Sequence, residues 1–304
     1  MPLPRNGRRM AACSLSTLAI LAAPALAMPP FGSWSNPANL ESLPGSSGNI
    51  NTPAVDGCAS LSRDGLTLIF NSNKTGNFDL YVAKRSSTSE GFGEPVRLPA
   101  PVNSSANESC ATFAPGGNRI VFASDRDDPA YDLYVTKRGP DGWSTPENLG
   151  PNINRPGWLE ESAGFYEDED GNDVMIYSSR RPSGEDGEIY QSVNGGPASP
   201  VAGGPHSSAS DNRPSITHDG LTIFFDSDRY GTLGGPDLYY ATRSNTHEPF
   251  GPAIHLESLS SPGFDARPYI SWDGTTLIFS SNRPGSSSPA PDMWFSTRAK
   301  ATGR

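Results

Sequence analysis

The sequence predicts an all-β fold, a five-bladed β-propeller of four-stranded antiparallel blades, because one hairpin pattern occurs five times. Each copy has an Asp-Gly or Gly-Gly turn, a β-branched and aromatic run, a polar loop and a second run that begins with an acidic residue, as is typical of a β-hairpin. The copies lie near residues 64–85, 116–138, 170–193, 219–243 and 273–298. Their acidic residues are 53, 56, 49 and 55 residues apart, at Asp79, Asp132, Glu188, Asp237 and Asp292. A period of this length accommodates four short strands, which is the content of one propeller blade.

Two further pieces complete each period. The first combines an aromatic residue, a proline and an apolar residue, at 34–40, 92–98, 143–149 and 250–256, with a degraded copy at 196–201. Because proline is confined to sheet edges, this piece is predicted to be the outermost strand. The second piece follows it and is predicted to be the innermost strand, with its copies at Cys58, Cys110, Ser162, Arg213 and Arg267.

The order of these pieces predicts how the ring closes. The chain begins with an outer strand, 34–40, and ends just after the third strand of the last repeat. Neither end completes a blade alone. The N-terminal outer strand is therefore predicted to pair with the C-terminal hairpin, which removes two unpaired sheet edges.

Residues 1–27 are typical of a secretory signal peptide. An apolar run ends in the small-residue cleavage pattern before Met28, and three basic residues precede it: Arg5, Arg8 and Arg9. The remaining residues, 28–304, are predicted to form a single propeller domain that is periplasmic or extracellular after cleavage near Ala27. No later segment reaches the ~20 apolar residues that a membrane-spanning helix needs.

The charge of the chain limits its partners. The net charge is −10, and loss of the three leader arginines makes it −13. Nucleic acid and anionic lipid need a basic surface, so both are disfavoured as partners.

The repeat resembles the TolB-type β-propeller repeat of bacterial envelope and secreted proteins. The similarity lies in the Ser-x-Arg or Ser-x-Asn end of the second strand, the Asp-Leu-Tyr-like start of the third strand, the Asp-Gly turn and the segment 103–109. It extends over residues 31–298. It implies the fold, whereas its implications for activity are broad, since such repeats occur in protein-docking scaffolds, sensors and carbohydrate-active enzymes.

Five acidic residues occupy one position of the innermost strands, at Asp56, Glu108, Glu160, Asp211 and Asp265. This position is expected to lie near the channel axis, so that the carboxylates face one another. Three interpretations remain open. Each carboxylate caps its own inter-blade loop, several of them bind Ca²⁺ on the channel axis, or two or three act as the acid, base or nucleophile of a glycosidase.

A basic residue ends the second strand of every repeat, at Lys74, Arg126, Arg181, Arg229 and Arg283. We expect these residues to pair with the acid of the third strand in the same hairpin: Lys74–Asp79, Arg126–Asp132, Arg181–Glu188, Arg229–Asp237 and Arg283–Asp292. Exposed pairs of this kind stabilise a fold by only a few tenths of a kcal/mol.

The face that carries the inter-blade loops is the predicted binding face, because loops around a rigid channel mouth carry most propeller ligands. The residues that distinguish the blades there are the candidate ligand-binding residues: Arg155, Trp158, Glu160, Glu161, Arg213 and Arg267. Cys58 and Cys110 occupy the positions equivalent to Arg213 and Arg267. They could be two buried thiols or, in an oxidising compartment, a disulfide.

These observations favour a binding or scaffold module whose partner is a protein or a cell-envelope glycan. The alternative is a glycan-cleaving enzyme that uses carboxylates at the channel mouth. Repetition of one acid in every blade favours binding, since catalysis needs carboxylates in contrasting environments.

Overall fold

A computed structural model describes residues 31–180 and 187–300, which form five antiparallel sheets and one short 3-10 helix. The predicted signal peptide and Arg181 lie outside these residues. Within them, no helix has the length and apolarity needed to cross a membrane.

The sheets are the five predicted blades. The first named elements of the described residues are β1 (Ala38–Asn39) and the 3-10 helix Leu40–Ser42. Blade 1 then contains, from the inside outward, β2 (Asp56–Leu61), β3 (Thr67–Ser72), β4 (Asp79–Lys84) and β5 (Val96–Arg97). Blade 2 contains β6 (Glu108–Phe113), β7 (Arg119–Ser124), β8 (Asp132–Gly139), a short β9 (Gly142–Trp143) that pairs with β8, and the outer strand β10 (Glu147–Asn148).

The last three blades repeat this order. Blade 3 contains β11 (Leu159–Glu167), β12 (Asp173–Arg180), β13 (Glu188–Val193) and β14 (Ser199–Pro200). Blade 4 contains β15 (Asp211–Ile216), β16 (Thr222–Ser227), β17 (Asp237–Thr242) and β18 (Ile254–His255). Blade 5 contains β19 (Asp265–Ile270), β20 (Thr276–Ser281) and β21 (Asp292–Thr297), and β1 is its outer strand. The prediction of a five-bladed propeller is confirmed.

The predicted closure of the ring is also confirmed. Strand β1 pairs antiparallel with β21, with Ala38 opposite Phe295 and Asn39 opposite Trp294. Leu40, directly after β1, is only 2 % exposed and packs in a core cluster that includes residues of blades 1 and 5. The two ends of the chain are therefore joined through one blade.

The core lies between the blades. In blades 1 to 4, an aromatic residue of the second strand lies beside one of the third strand, as with Phe225 and Tyr239, whose ring centroids are 6.0 Å apart. This pair packs against Ile176 of the preceding blade in one buried cluster. Such clusters hold the blades around a central channel, so that side chains of the five innermost strands meet there.

Candidate functional site

The five strand-start carboxylates are buried and bonded to their own inter-blade loops. Each is at most 1 % exposed, and each accepts hydrogen bonds from the loop that precedes its own strand. Glu108, for example, accepts from the hydroxyl of Ser104 at 2.6 Å and from its backbone N–H at 3.0 Å. The expectation that the carboxylates face one another is wrong, because each folds back onto its inter-blade loop. The described part of the chain contains no group of three His, Cys, Asp or Glu side chains that could hold a metal ion.

Three of the basic residues at the ends of the second strands form ion pairs with these same carboxylates. Arg126 lies 3.0 Å from Glu108, and the equivalent pairs Arg229–Asp211 and Arg283–Asp265 are 2.5 Å long. The guanidinium groups also donate to carbonyl oxygens of the inter-blade loops, as Arg126 does to Val102. Each arginine thus ties its blade to the preceding loop. Lys74, the equivalent basic residue of blade 1, instead lies over the ring of Tyr81.

The predicted pairs within the hairpins are wrong for the described residues, because the acids of the third strands turn toward the outer strands. Asp79 pairs with Arg97 at 2.6 Å, Asp132 accepts from Asn148 at 2.7 Å, and Asp237 lies 2.9 Å from His255. Asp292 likewise accepts from residues outside the predicted pair, Asn39 and Ser287. The predicted pair Arg181–Glu188 includes a residue outside the described ranges.

The channel is narrowed by five residues that each come two positions after the strand-start carboxylate, and we call them the waist. All five have positive φ angles of 47–60°, which are uncommon for residues other than glycine. The register of every innermost strand shifts at this point. A bulge of this kind turns a side chain out of its regular direction, and here the side chains of different blades meet. The waist residues are Cys58, Cys110, Ser162, Arg213 and Arg267.

One side of the waist is a disulfide bond. Cys58 and Cys110 are joined, with their Cα atoms 4.7 Å apart, and the bond links the innermost strands of blades 1 and 2. Cys58 Sγ lies 3.9 Å from Ser162 Oγ in blade 3. The bulges bring the two Cα atoms within the ~7 Å that a disulfide requires, whereas the sequence alone left the bonded and free states open.

The other side of the waist is a charged cluster. Arg213 lies 3.1 Å from Glu161 and 3.1 Å from Asp226, and the backbone N–H of Arg267 donates to Asp226 at 2.9 Å. Burial alone would lower the pKa of Arg213, but the two carboxylates outweigh it and the pKa lies above its usual value.

Asp226 was not among the site residues predicted from the sequence. The sequence did contain a sign of its importance, because Asp226 is charged where the other second strands have a neutral residue. Those residues are Asn71, Ala123, Ser178 and Ser280.

The structure divides the candidate ligand-binding residues into three environments. Glu161, Arg213 and Arg267 meet at the waist. Glu160 is fully buried. Arg155 lies over the ring of Trp158, with its Cζ 4.7 Å from the ring centroid. Trp158 packs against the core cluster between blades 2 and 3.

Below the waist, the channel widens into a cavity of about 320 Å³ that opens on the face of the turns between first and second strands. We call this end the turn end and the opposite one the loop end. The wall of the cavity contains an apolar ring, to which each innermost strand contributes one residue, and Arg213 and Arg267 of the waist close its inner end. None of the described residues that line the cavity is acidic. The ring consists of Leu61, Phe113, Phe165, Ile216 and Ile270. The cavity thus lies opposite the predicted binding face.

The rim of the cavity carries an aromatic and cationic group. Trp272, 38 % exposed, lies with its ring 4.8 Å from that of His218 and 4.5 Å from the guanidinium carbon of Arg63. A guanidinium at this distance is attracted to the face of an indole ring. His218 lies in the turn between β15 and β16, on the face opposite the strand-start carboxylates.

Glu160 should make stability depend on pH. Burial, which outweighs hydrogen bonds from Ser179 and from the backbone of Arg155, raises its pKa from 4.5 to about 7. A carboxyl that the fold prefers protonated stabilises below its unfolded pKa, and that stabilisation is lost as the pH rises through the folded pKa. The expected loss in unfolding free energy between pH 4.5 and 7 is roughly 3 kcal/mol. Glu160→Gln should remove this pH dependence in urea melts, and should be more stable than the wild type at pH 8.

Glu108→Gln is the matched control from the neighbouring blade. Because Glu108 forms an ion pair with Arg126, its loss leaves a buried cation without its carboxylate, and stability should fall at pH 8 by about 3 kcal/mol. A Glu160→Gln variant that lost as much stability at pH 8 would show that Glu160 is charged and well paired in the fold.

Comparison with solved structures shows what this fold is shared with, whereas no family model and no curated protein matches the chain. A TolB-type protein from Agrobacterium tumefaciens is 19 % identical, with a TM-score of 0.51 over 76 % of this chain and 71 % of that one. A thermostable family-43 glycoside hydrolase is 12 % identical, with a TM-score of 0.57 over 85 % and 93 %. A family-62 α-L-arabinofuranosidase domain from Coprinopsis cinerea is 14 % identical, with a TM-score of 0.54 over 91 % and 100 %.

At these identities the likeness concerns the fold. The chain has a TolB-like five-bladed β-propeller fold. The same architecture serves in binding proteins and in glycosidases, so function has to be argued from the side chains of the channel.

Proposed function

We propose that this chain is an exported, non-catalytic binding module that holds an apolar side chain of a protein partner in the turn-end cavity. Export, to the periplasm or the medium, rests on the signal-peptide pattern of residues 1–27. The observation that carries the binding function is the composition of the cavity, whose lining is mainly apolar, with arginine side chains at its two ends, and contains no carboxylate among the described residues.

The cavity suits an apolar group better than a neutral sugar. Phe113 and Phe165 are half-buried at the wall and keep part of their rings available to a ligand. Two polar groups beside the apolar ring already have partners, since Ser215 accepts from the backbone of Ile270 and the hydroxyl of Tyr269 donates to Leu61. Sugar hydroxyls would therefore lose hydrogen bonds to water without recovering them here.

The rim supports a protein partner. Tryptophan and arginine are the residues that most often dominate the affinity of protein interfaces, and Trp272 and Arg63 lie in contact at the mouth of the cavity. A partner side chain that enters the apolar ring would also cover the exposed face of Trp272. The expected partner segment presents one large apolar residue from a loop or a chain end.

Small amides test this function directly. We expect N-acetyl-tryptophanamide or N-acetyl-leucinamide to bind the mature protein in calorimetric or NMR titrations, and methyl glucoside to bind far more weakly. Phe165→Ser and Trp272→Ala should each weaken amide binding about tenfold, since each removes apolar contact area. Trp272 is partly exposed, so its replacement should leave the fold intact.

Tyr230→Ala is the matched control. Tyr230 is fully exposed, in the loop between the second and third strands of blade 4, at the loop end. Its loss should leave amide binding unchanged. Equal losses in the Tyr230 and Trp272 variants, or binding of methyl glucoside as tight as that of the amides, would contradict the proposal.

Glycan cleavage is the second candidate function, and the glycosidases among the solved structures with this fold favour it. The strand-start carboxylates are buried, so Glu161 at the waist, which is partly exposed, is the acid that a substrate could reach. Release of reducing ends from arabino-oligosaccharides that is lost in Glu161→Gln would support an enzyme. The absence of release supports the binding function.

A further inference from the structure

The charged side chains that line the turn-end cavity are basic. Arg213 and Arg267 close its inner end, Arg63 stands at its rim, and none of the described lining residues is acidic. Two aspartates of the nearby turns, Asp64 and Asp273, do not line the cavity and accept hydrogen bonds within their own turns. A cavity with an apolar wall and charge of one sign favours a ligand that combines an apolar group with the opposite charge.

The two arginines at the inner end differ in what already neutralises them. Arg213 lies 3.1 Å from both Glu161 and Asp226. No described residue forms an ion pair with the guanidinium of Arg267 or accepts a hydrogen bond from it, and its Cζ lies 5.4 Å from the apolar ring of Phe264. A half-buried guanidinium of this kind is normally satisfied by water or by a ligand. Arg267 therefore offers a place for an anion at the inner end of the cavity.

The charges around Arg267 favour a ligand with one negative charge. Burial, and then the neighbouring charge of Arg213, lower the pKa of Arg267 to about 10, although Glu161 and Asp226 act in the opposite direction. A negative charge against the guanidinium would favour its protonated form. Together with Arg63 at the rim, the arginines outnumber the two carboxylates by one. A single negative charge on the ligand would therefore balance the cavity and the waist.

The charged and apolar levels of the channel lie close together. Each residue of the apolar ring comes three positions after a waist residue of the same strand, as Ile270 does after Arg267, so the two levels are within about 10 Å of each other. A guanidinium presents a planar fork of donors that matches the two oxygens of a carboxylate. The last residue of a polypeptide carries a carboxylate and a side chain on one carbon atom, so it can occupy both levels at once.

The size of the cavity suits a single residue. Its volume of about 320 Å³ is at the lower end of the range of ligand pockets, and its opening is at the turn end. A chain end that enters it would leave over the rim, where Trp272 is 38 % exposed. The residues that precede the last one could then cover the exposed part of the indole ring.

We propose that the turn-end cavity binds the C-terminal residue of a partner protein, with the terminal carboxylate against Arg267 and the apolar side chain within the apolar ring. This inference rests on the binding function proposed for the cavity. It adds that the apolar residue is the last one of the partner and that its free carboxylate is recognised.

Calorimetric titration of the mature protein at pH 7 with N-acetyl-tryptophan and N-acetyl-tryptophanamide tests the role of the carboxylate, because the two ligands differ only in their terminal group. We expect the acid to bind at least tenfold more tightly than the amide. Arg267→Gln should bring the ratio of the two affinities close to one by weakening only the acid. Arg267→Lys retains the charge but not the fork, and should leave a ratio of about three.

Arg63→Gln is the matched control, because it makes the same substitution at the exposed rim and should leave the ratio of acid to amide affinity unchanged. Equal affinities of acid and amide in the wild type, or an unchanged ratio in Arg267→Gln, overturn the inference, while binding of the amide alone would still support the proposed function. N-acetylglycine that binds as tightly as N-acetyl-tryptophan also overturns it. If Arg267→Gln does not fold, the wild-type ratio and Arg267→Lys decide.

A longer ligand distinguishes a chain end from a free carboxylic acid. Acetyl-Ala-Ala-Trp should bind several-fold more tightly than indole-3-propionate, because its first two residues can cover Trp272 at the rim. Trp272→Ala should remove this difference. Equal affinities of the two ligands in the wild type would identify a free acid as the ligand and overturn the assignment to a chain end.

Discussion

A chain that lacks residues 31–43 should melt about 10 to 20 °C below the wild type, or fail to melt cooperatively. The deletion removes β1, which is the outer strand of blade 5, and exposes the edge of β21. It also removes Leu40 and Leu43 from a core cluster, and Trp34, whose ring packs edge-on against Phe224 at 6.2 Å. Three apolar side chains of this size contribute roughly 5 kcal/mol, a large part of the 5–15 kcal/mol that typically stabilises a protein.

Single substitutions test the contribution of the N-terminal segment without deleting it. Leu40→Ala should lower the unfolding free energy by about 3 kcal/mol, as expected for a buried leucine. Val96→Ala replaces an exposed residue of the equivalent outer strand in blade 1. This substitution should change the unfolding free energy by less than about 0.5 kcal/mol. A truncated chain that melts within a few degrees of the wild type would show that β1 does not close the ring.

Asp226→Ala should lower the unfolding free energy by about 3 to 5 kcal/mol, because it leaves buried arginine charge without its carboxylate. The substitution removes the 3.1 Å contact to Arg213 and the hydrogen bond from the backbone N–H of Arg267. Glu161 alone would then face two guanidinium groups. Urea unfolding at pH 7 measures the loss directly.

Ser280→Ala is the control for this position. Ser280 is the equivalent residue of blade 5, and its hydroxyl has no hydrogen-bond partner among the described residues. Its removal should change stability by less than about 0.5 kcal/mol. If the two variants lost similar amounts, the charge of Asp226 would not be what stabilises the waist.

The repeated pattern of the sequence was sufficient to predict the blades. Asp-Gly turns, alternating apolar runs and outer-strand prolines are local signals, and each acts within a few residues of the chain. A single four-stranded blade cannot bury its apolar faces, and five blades bury them by packing against one another. The closed ring could therefore be predicted from the repeats as well. The pairing of 34–40 with the last hairpin followed because a blade with a free edge is unfavourable.

The same pattern could not predict where the side chains point. Whether Arg126 binds Asp132 in its own hairpin or Glu108 on the innermost strand depends on the inter-blade loop, which supplies carbonyl oxygens such as that of Val102. Likewise, the convergence of Cys58, Cys110, Arg213 and Asp226 requires a bulge in every innermost strand, and no residue type was common to the five bulges.

Sequence by itself determined the elements of this protein, their number and their order around the ring. Tertiary structure alone decided which end of the channel opens into a cavity with an apolar ring, and that Asp226 and Glu161 meet Arg213 at the waist. The physical reason is that strand formation depends on neighbours along the chain, whereas a channel is lined by residues from five blades that are about 50 residues apart.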